Sequence, residues 1–203
     1  MLRFKCISLG VLAAILLAGS VVWGEEKDPN IAPDFTLKGH DGNDVHLAAL
    51  KGKIVVLEWF NYECPFVLHH CEKASTMKDL ALRYRDKGVV WLAINSTSHQ
   101  ETAKNQEFAK KHKVPYPLLD DRSGTTGKAY GAKTTPQMVV VDKQGRIVYN
   151  GAIDNAPMGK VQADQALVNY VDKALAELTS GKTVGTPVTK SYGCSVKYKP
   201  AAQ

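Results

Sequence analysis

The 203-residue chain contains no basic run interleaved with aromatics, no internal repeat and no low-complexity segment. The first absence argues against a nucleic-acid partner, because scattered lysines are ordinarily a solvated surface. Hydrophobic residues at 44% and charged residues at 23% exclude both a disordered chain and a polytopic membrane protein. The apolar run at the N-terminus falls short of the ~18 residues that a membrane-spanning helix needs. The length leaves room for one compact domain with a true core, whereas two large domains would be cramped. Cysteine is also scarce, with Cys6, Cys64, Cys71 and Cys194 the only four.

Arg3 and Lys5 precede the apolar run at 7–19, after which come Val22, Trp23, Gly24 and then charge. That pattern predicts a secretory signal peptide over residues 1–24, cut near Gly24. A lipid anchor would want cysteine where Ser20 stands, and Cys6 leaves with the leader. Losing Arg3 and Lys5 lowers the net charge from +6 to +4, so the basic balance carries little meaning. The predicted organisation is a polar linker over 25–31, one domain over 32–180 and a tail over 181–203 that carries Cys194. Export would place the three remaining cysteines where disulfides persist, with no stable membrane insertion once the leader is gone. Three is odd, so at least one thiol stays free or pairs outside the chain.

Two short strands are expected around the Asp41-Gly42 turn, followed by a buried central strand from Ile54 to Phe60. Apolar residues at Val67, Cys71, Ala74, Met77, Ala81 and Tyr84 recur at helical spacing and predict one helix over 65–86. A second buried strand over 89–95 completes a parallel strand-helix-strand unit. A polar helix over 102–111, a short strand over 116–119 and a helical turn near Lys128 follow. Strands over 137–142 and 146–150 are joined by the turn at 142–145, and a last amphipathic helix spans 161–179. The tail is expected to be irregular.

Cys64 falls where the central strand ends and the helix begins, with Pro65 at the first helical position. Unpaired N–H groups at that helix end favour thiolate over thiol, which predicts a solvent-accessible nucleophile with a lowered pKa. Cys71 shares its helix face, yet seven residues of helix separate the Cα atoms by roughly 10 Å. A disulfide tolerates at most about 7 Å. Cys71 is therefore read as a buried core thiol. His69 and His70 lie five and six residues from Cys64, the wrong spacing for ligands on one helix, so no metal is assigned and both are read as surface or half-buried histidines. Cys194 could resolve an oxidised Cys64, pair with Cys71 or remain free. Glu58, inside an apolar strand, would have a raised pKa if buried and could relay protons at the Cys64 thiol, unless it is a strand-end acid facing water. Pro136, after Thr134-Thr135, is either an edge or turn device or a cis bond.

The segments APDFTL, KGK, EWFNYECP and TTPQMVVVDKQGRIVYNGAID, spread over residues 32–154, resemble the redoxins, and the closing GCSVKY is similar to a peroxiredoxin-like branch of them. The resemblance is to the AhpC/TSA and thiol-disulfide oxidoreductase proteins of the thioredoxin-like superfamily. It implies an α/β thioredoxin-like fold, a central mixed β-sheet flanked by helices, with an N-terminal β-hairpin. It also implies Cys64 as the first cysteine of a CxxC, Glu58 as the buried acid, and Pro136 as the cis-proline whose preceding backbone at Thr135 lies beside the active cysteine and pairs with substrate. Pro65 joins Thr135 and Pro136 as a candidate substrate contact. Two departures stand out. Val67 occupies the second-cysteine position, and Leu57 and Asn61 replace the proline and threonine of the peroxiredoxin PxxxTxxC motif.

The expected activity is an exported thiol-disulfide oxidoreductase or antioxidant redoxin. Cys64 is its nucleophile, Cys194 or an external thiol is its resolving group, and no cofactor is needed. Its partners would be protein or small-molecule thiols and disulfides. A one-cysteine peroxidase acting on hydroperoxides is the alternative, and a non-enzymatic module holding a peptide or copper is a third reading.

Overall fold

The computed structural model describes residues 28–200. The expected signal peptide, the start of the linker and Cys6 lie outside the described residues. Strands β1 (Thr36–Gly39) and β2 (Asp44–His46) pair antiparallel around the Asp41-Gly42 turn, where Gly42 takes φ +86°. β3 (Ile54–Trp59) leads to a short helix α1 (Pro65–Leu68), a π turn (His69–Lys73), α2 (Thr76–Arg85) and β4 (Val89–Asn95). Then come α3 (Thr102–His112), β5 (Leu118–Asp120), α4 (Thr125–Ala129), β6 (Thr134–Thr135), β7 (Gln137–Val141) and β8 (Ile147–Gly151). α5 (Tyr170–Thr179) and β9 (Cys194–Ser195) complete the described order.

Among the described residues the main sheet has seven strands in the order β2-β1-β5-β4-β3-β7-β8, while β6 and β9 form a separate pair. β3 runs parallel to β4 and antiparallel to β7, so Glu58 has Ala93 on one side and Met138 on the other. Side chains alternate across a strand. Ile54 and Val56 of β3 therefore face one apolar cluster with Val67, Met77 and Leu175, and Val55, Leu57 and Trp59 face a second with Phe35, Leu119 and Tyr130. Every β3 residue is buried, as expected of a central strand covered on both faces. By parity Glu58 points into the first cluster, under the helices.

Two predicted helices are corrected. The segment over 65–86 is not one helix, because the Ala74 amide reaches back to the His69 carbonyl at 3.0 Å and Ser75 adopts a left-handed φ of 50° before α2 begins. The extra residue in that turn shifts the phase of the apolar stripe. Ala74, expected inside, is exposed, and Leu80, absent from the predicted stripe, is buried. The last helix starts at Tyr170 rather than 161, since the Asn169 side chain caps it by accepting from the Asp172 amide at 2.8 Å. Leu167, counted within that helix, is 66% exposed.

Candidate active site

The chain leaves β3 through a turn held by Asn61, whose Oδ1 accepts from the Glu63 amide at 2.7 Å and from Gln100 Nε2 at 2.7 Å. Cys64 then caps α1 in an extended conformation, with Pro65 exposed beside it. In its thiol form Cys64 donates from Sγ to the Thr135 carbonyl at 2.9 Å. Two expectations are corrected here. Cys64 is 1% exposed rather than open to solvent, and α1 has only four residues rather than being the start of a long helix. A specific set of hydrogen bonds, not a long helix dipole, acts on the sulfur.

Part of that set is brought by the far end of the chain. The Thr135–Pro136 peptide is cis, which decides between the two readings of Pro136. Thr135 pairs antiparallel with Cys194, and Thr134 with Ser195. Gly193 allows the approach: its φ is +125°, and a Cβ there would overlap the Thr135 carbonyl. Beyond β9 the Val196 amide donates to the Lys133 carbonyl at 3.0 Å, and Tyr198 donates to the Ala132 carbonyl at 2.8 Å. The tail, expected to be irregular, is thus fastened across the cis-proline loop, and it brings Cys194 to Cys64.

Burial pushes the Cys64 thiol up, but hydrogen bonds to its sulfur from Thr135, from the Cys194 thiol and from the Val67 and Cys194 backbone more than reverse this, leaving its pKa below the ordinary value. Burial, and then the hydrogen bond and charge of Cys64, push Cys194 up to about 11. Of the two, Cys64 is the more readily ionised and Cys194 the one that holds its proton more tightly. Cys64, Cys71 and Cys194 are all free thiols.

Glu58 is fully buried, which rules out an acid facing water. Burial raises its carboxyl from 4.5 to about 7, against donation to Oε2 from Trp91 Nε1 at 2.9 Å and Tyr116 OH at 3.1 Å. Among the described residues Oε1 has no hydrogen-bond partner. The structure places this acid where its charge acts on Cys71 and Tyr116, while the groups acting on Cys64 are Thr135, Cys194 and Val67. Cys71 is 2% exposed in the apolar cluster, and burial, with Glu58 adding to it, pushes its thiol far up.

His70, expected at the surface or half-buried, is 1% exposed. Its Nε2 lies 2.9 Å from Tyr192 OH, and Tyr192 in turn donates to Asp154 Oδ1 at 2.6 Å. Sequence reasoning missed this trio; the available signal was the tyrosine two residues ahead of Cys194 in YGC. Among the described residues no group of three or more His, Cys, Asp or Glu side chains could hold a metal ion, and no helix is long and apolar enough to cross a membrane.

The AhpC/TSA family model matches residues 29–150. The chain belongs to the AhpC/TSA family. This AhpC/TSA chain is 32% identical over 136 residues to "Peroxiredoxin Q, chloroplastic" of Triticum aestivum, covering 64% of this chain and 60% of that protein. It is 30% identical over 118 residues to "Thiol-disulfide oxidoreductase ResA" of Bacillus thuringiensis subsp. konkukian, covering 58% of this chain and 65% of that one. The match thus spans under two thirds of those relatives' length. A hypothetical protein from Sinorhizobium meliloti superposes with a TM-score of 0.74 at 29% identity, over 85% of this chain and 94% of that one. A putative thiol:disulfide interchange protein DsbE from Chlorobium tepidum superposes with a TM-score of 0.53 at 25% identity, over 60% and 82%. The fold of this AhpC/TSA protein is thioredoxin-like, a mixed sheet flanked by helices, and its relatives include both disulfide oxidoreductases and peroxiredoxins.

Proposed function

We propose that the chain is an exported thioredoxin-like thiol-disulfide oxidoreductase in which Cys64 is the nucleophile and Cys194 the resolving thiol. The observation that carries this reading is the β6–β9 pair, which sets Cys194 opposite Thr135 while Cys64 Sγ bonds the Thr135 carbonyl. A cysteine in the tail takes the task that Val67 cannot perform. Export rests on the leader read from the sequence.

In the first step the Cys64 thiolate attacks one sulfur of a substrate disulfide, forming a mixed disulfide and releasing the other half as a thiolate. Cys194 then loses its proton to solvent and attacks Cys64 Sγ. The second substrate thiolate leaves, and a Cys64–Cys194 disulfide remains. Two electrons pass from the protein to the substrate, and an external dithiol returns them. Thr135 and Pro136 form the edge along which the entering sulfur lies, with Pro65 at its exposed side.

The test is turnover of a model disulfide by the protein without its leader. Cys64→Ser is expected to abolish turnover, and Cys194→Ser to arrest the protein as a mixed disulfide at Cys64. Undiminished turnover by Cys64→Ser overturns the reading.

A second reading is favoured by the burial of Cys64 beneath the tail, which admits a small oxidant more readily than a folded polypeptide. Cys64 thiolate would attack a hydroperoxide oxygen, giving a sulfenic acid and an alcohol, and Cys194 would condense with it, releasing water. Asn61, in the place of the activating threonine, already spends its Oδ1 on Glu63 and Gln100. Trapping a sulfenic acid at Cys64 in the Cys194→Ser variant under stoichiometric peroxide supports this route, and failure to trap one removes it.

A further inference from the structure

We infer that Tyr192, held by His70 and Asp154, is the positioning residue that closes the tail over Cys64 and sets Cys194 in place to resolve it, an inference that rests on the Cys64–Cys194 reading above. The tyrosine stands two residues before Cys194. Its ring packs against Phe66 at 5.8 Å and His70 at 6.3 Å between centroids. Both partners lie on the segment that Cys64 begins, so Tyr192 ties the resolving cysteine directly to the nucleophile's own helical turn.

The hydrogen-bond roles are determined by elimination. The Asp154 carboxylate can only accept, so the single Tyr192 hydroxyl proton goes to it, at 2.6 Å. His70 Nε2 must then carry a proton and donate to Tyr192 OH at 2.9 Å, leaving Nδ1 to accept from the Thr76 hydroxyl at 3.2 Å. Burial holds His70 below its ordinary pKa, in keeping with this neutral tautomer. Every polar atom of the imidazole and phenol is engaged. The π turn is what makes this possible, because it sets His70 inside the fold instead of at the surface.

One latch therefore serves two opposed purposes. Closed, it buries Cys64, so a bulky disulfide must wait for the tail to lift. Closed again after the attack, it returns Cys194 to the mixed disulfide. Removing the two Tyr192 hydrogen bonds should raise the open fraction about tenfold, the usual net worth of such bonds. The first step should then speed up and the second slow down.

The experiment is a single turnover of the reduced protein with dithiobis-nitrobenzoate, which releases one coloured thiolate on attack by Cys64 and a second on resolution by Cys194. Tyr192→Phe retains the ring on Phe66 and His70 while deleting the hydroxyl. It is expected to quicken the first release about tenfold and, because the bulky adduct on Cys64 holds the tail mostly open so that resolution draws on a minor closed fraction, to slow the second by a similar factor. Thermal melts of Tyr192→Phe confirm that it is folded. A role limited to stability would move both phases in the same direction, and that result, or no change in either, overturns the inference. The underlying reading fails separately: it falls if Cys194→Ser still gives the second release at the wild-type rate.

Discussion

Glu58→Gln tests how the buried acid is held. The carboxyl has no exposure, and burial lifts it from 4.5 in the unfolded chain to about 7 in the fold. Between those values the folded protein keeps a proton that the unfolded chain has released. Stability is therefore greatest below the unfolded pKa, falls as pH climbs through this window and levels off above the folded pKa. At 1.36 kcal/mol per unit, the change across the window is about 3 kcal/mol. Glutamine cannot ionise, and its carbonyl oxygen can still accept from Trp91 and Tyr116, so its stability should not follow this decline. Urea unfolding under reducing conditions at about pH 5 and about pH 8 measures the difference. Part of the loss has already occurred by pH 5, so the variant should gain about 2.5 kcal/mol on the wild type between the two. Stability curves that run parallel for the two proteins would refute the reasoning, because Glu58 would then titrate as an ordinary solvated acid.

Tyr116→Phe deletes one of the two donors that hold the Glu58 carboxylate down. It should push that carboxyl above about 7 and cost about 1 kcal/mol of stability; a downward shift of the Glu58 infrared carboxyl band in titration would contradict this. Gly193→Ala places a Cβ against the Thr135 carbonyl in a backbone conformation that side chains avoid. Strand β9 should detach at a cost of about 1–3 kcal/mol, with faster alkylation of Cys64 and less Cys64–Cys194 disulfide under air. Wild-type alkylation kinetics in this variant would mean that the tail is not held by its approach to Thr135.

The strands were legible because their letters are constrained on both faces. Ile54 to Trp59 and Val89 to Asn95 are apolar runs too short for helices, and no other placement would bury them. The junction at Cys64-Pro65 was equally local. The partner of Cys64 was not, since nothing in the local pattern around Cys194 says which of two cysteines more than a hundred residues away it will meet. The π turn was hidden because the apolar spacing around Cys71 fits an unbroken helix, and only the left-handed Ser75 and the long Ala74–His69 bond reveal the added residue. Its consequence was the misplacing of His70, which the unbroken helix would leave outside. Asn169 and Asp172 were a capping signal in plain view, overridden by apolar letters at Leu167 and Val168 that in fact face solvent.

The separation of Cys64 and Cys194 along the chain has a further consequence for oxidised protein. A covalent link between them would close a loop of 130 residues, and such a crosslink withdraws so many conformations from the unfolded chain that about 5 kcal/mol of stability would follow. Each catalytic cycle would then alternate a tightly stitched molecule with a looser one, making resistance to heat and proteases a direct gauge of how much of the protein is carrying oxidising equivalents.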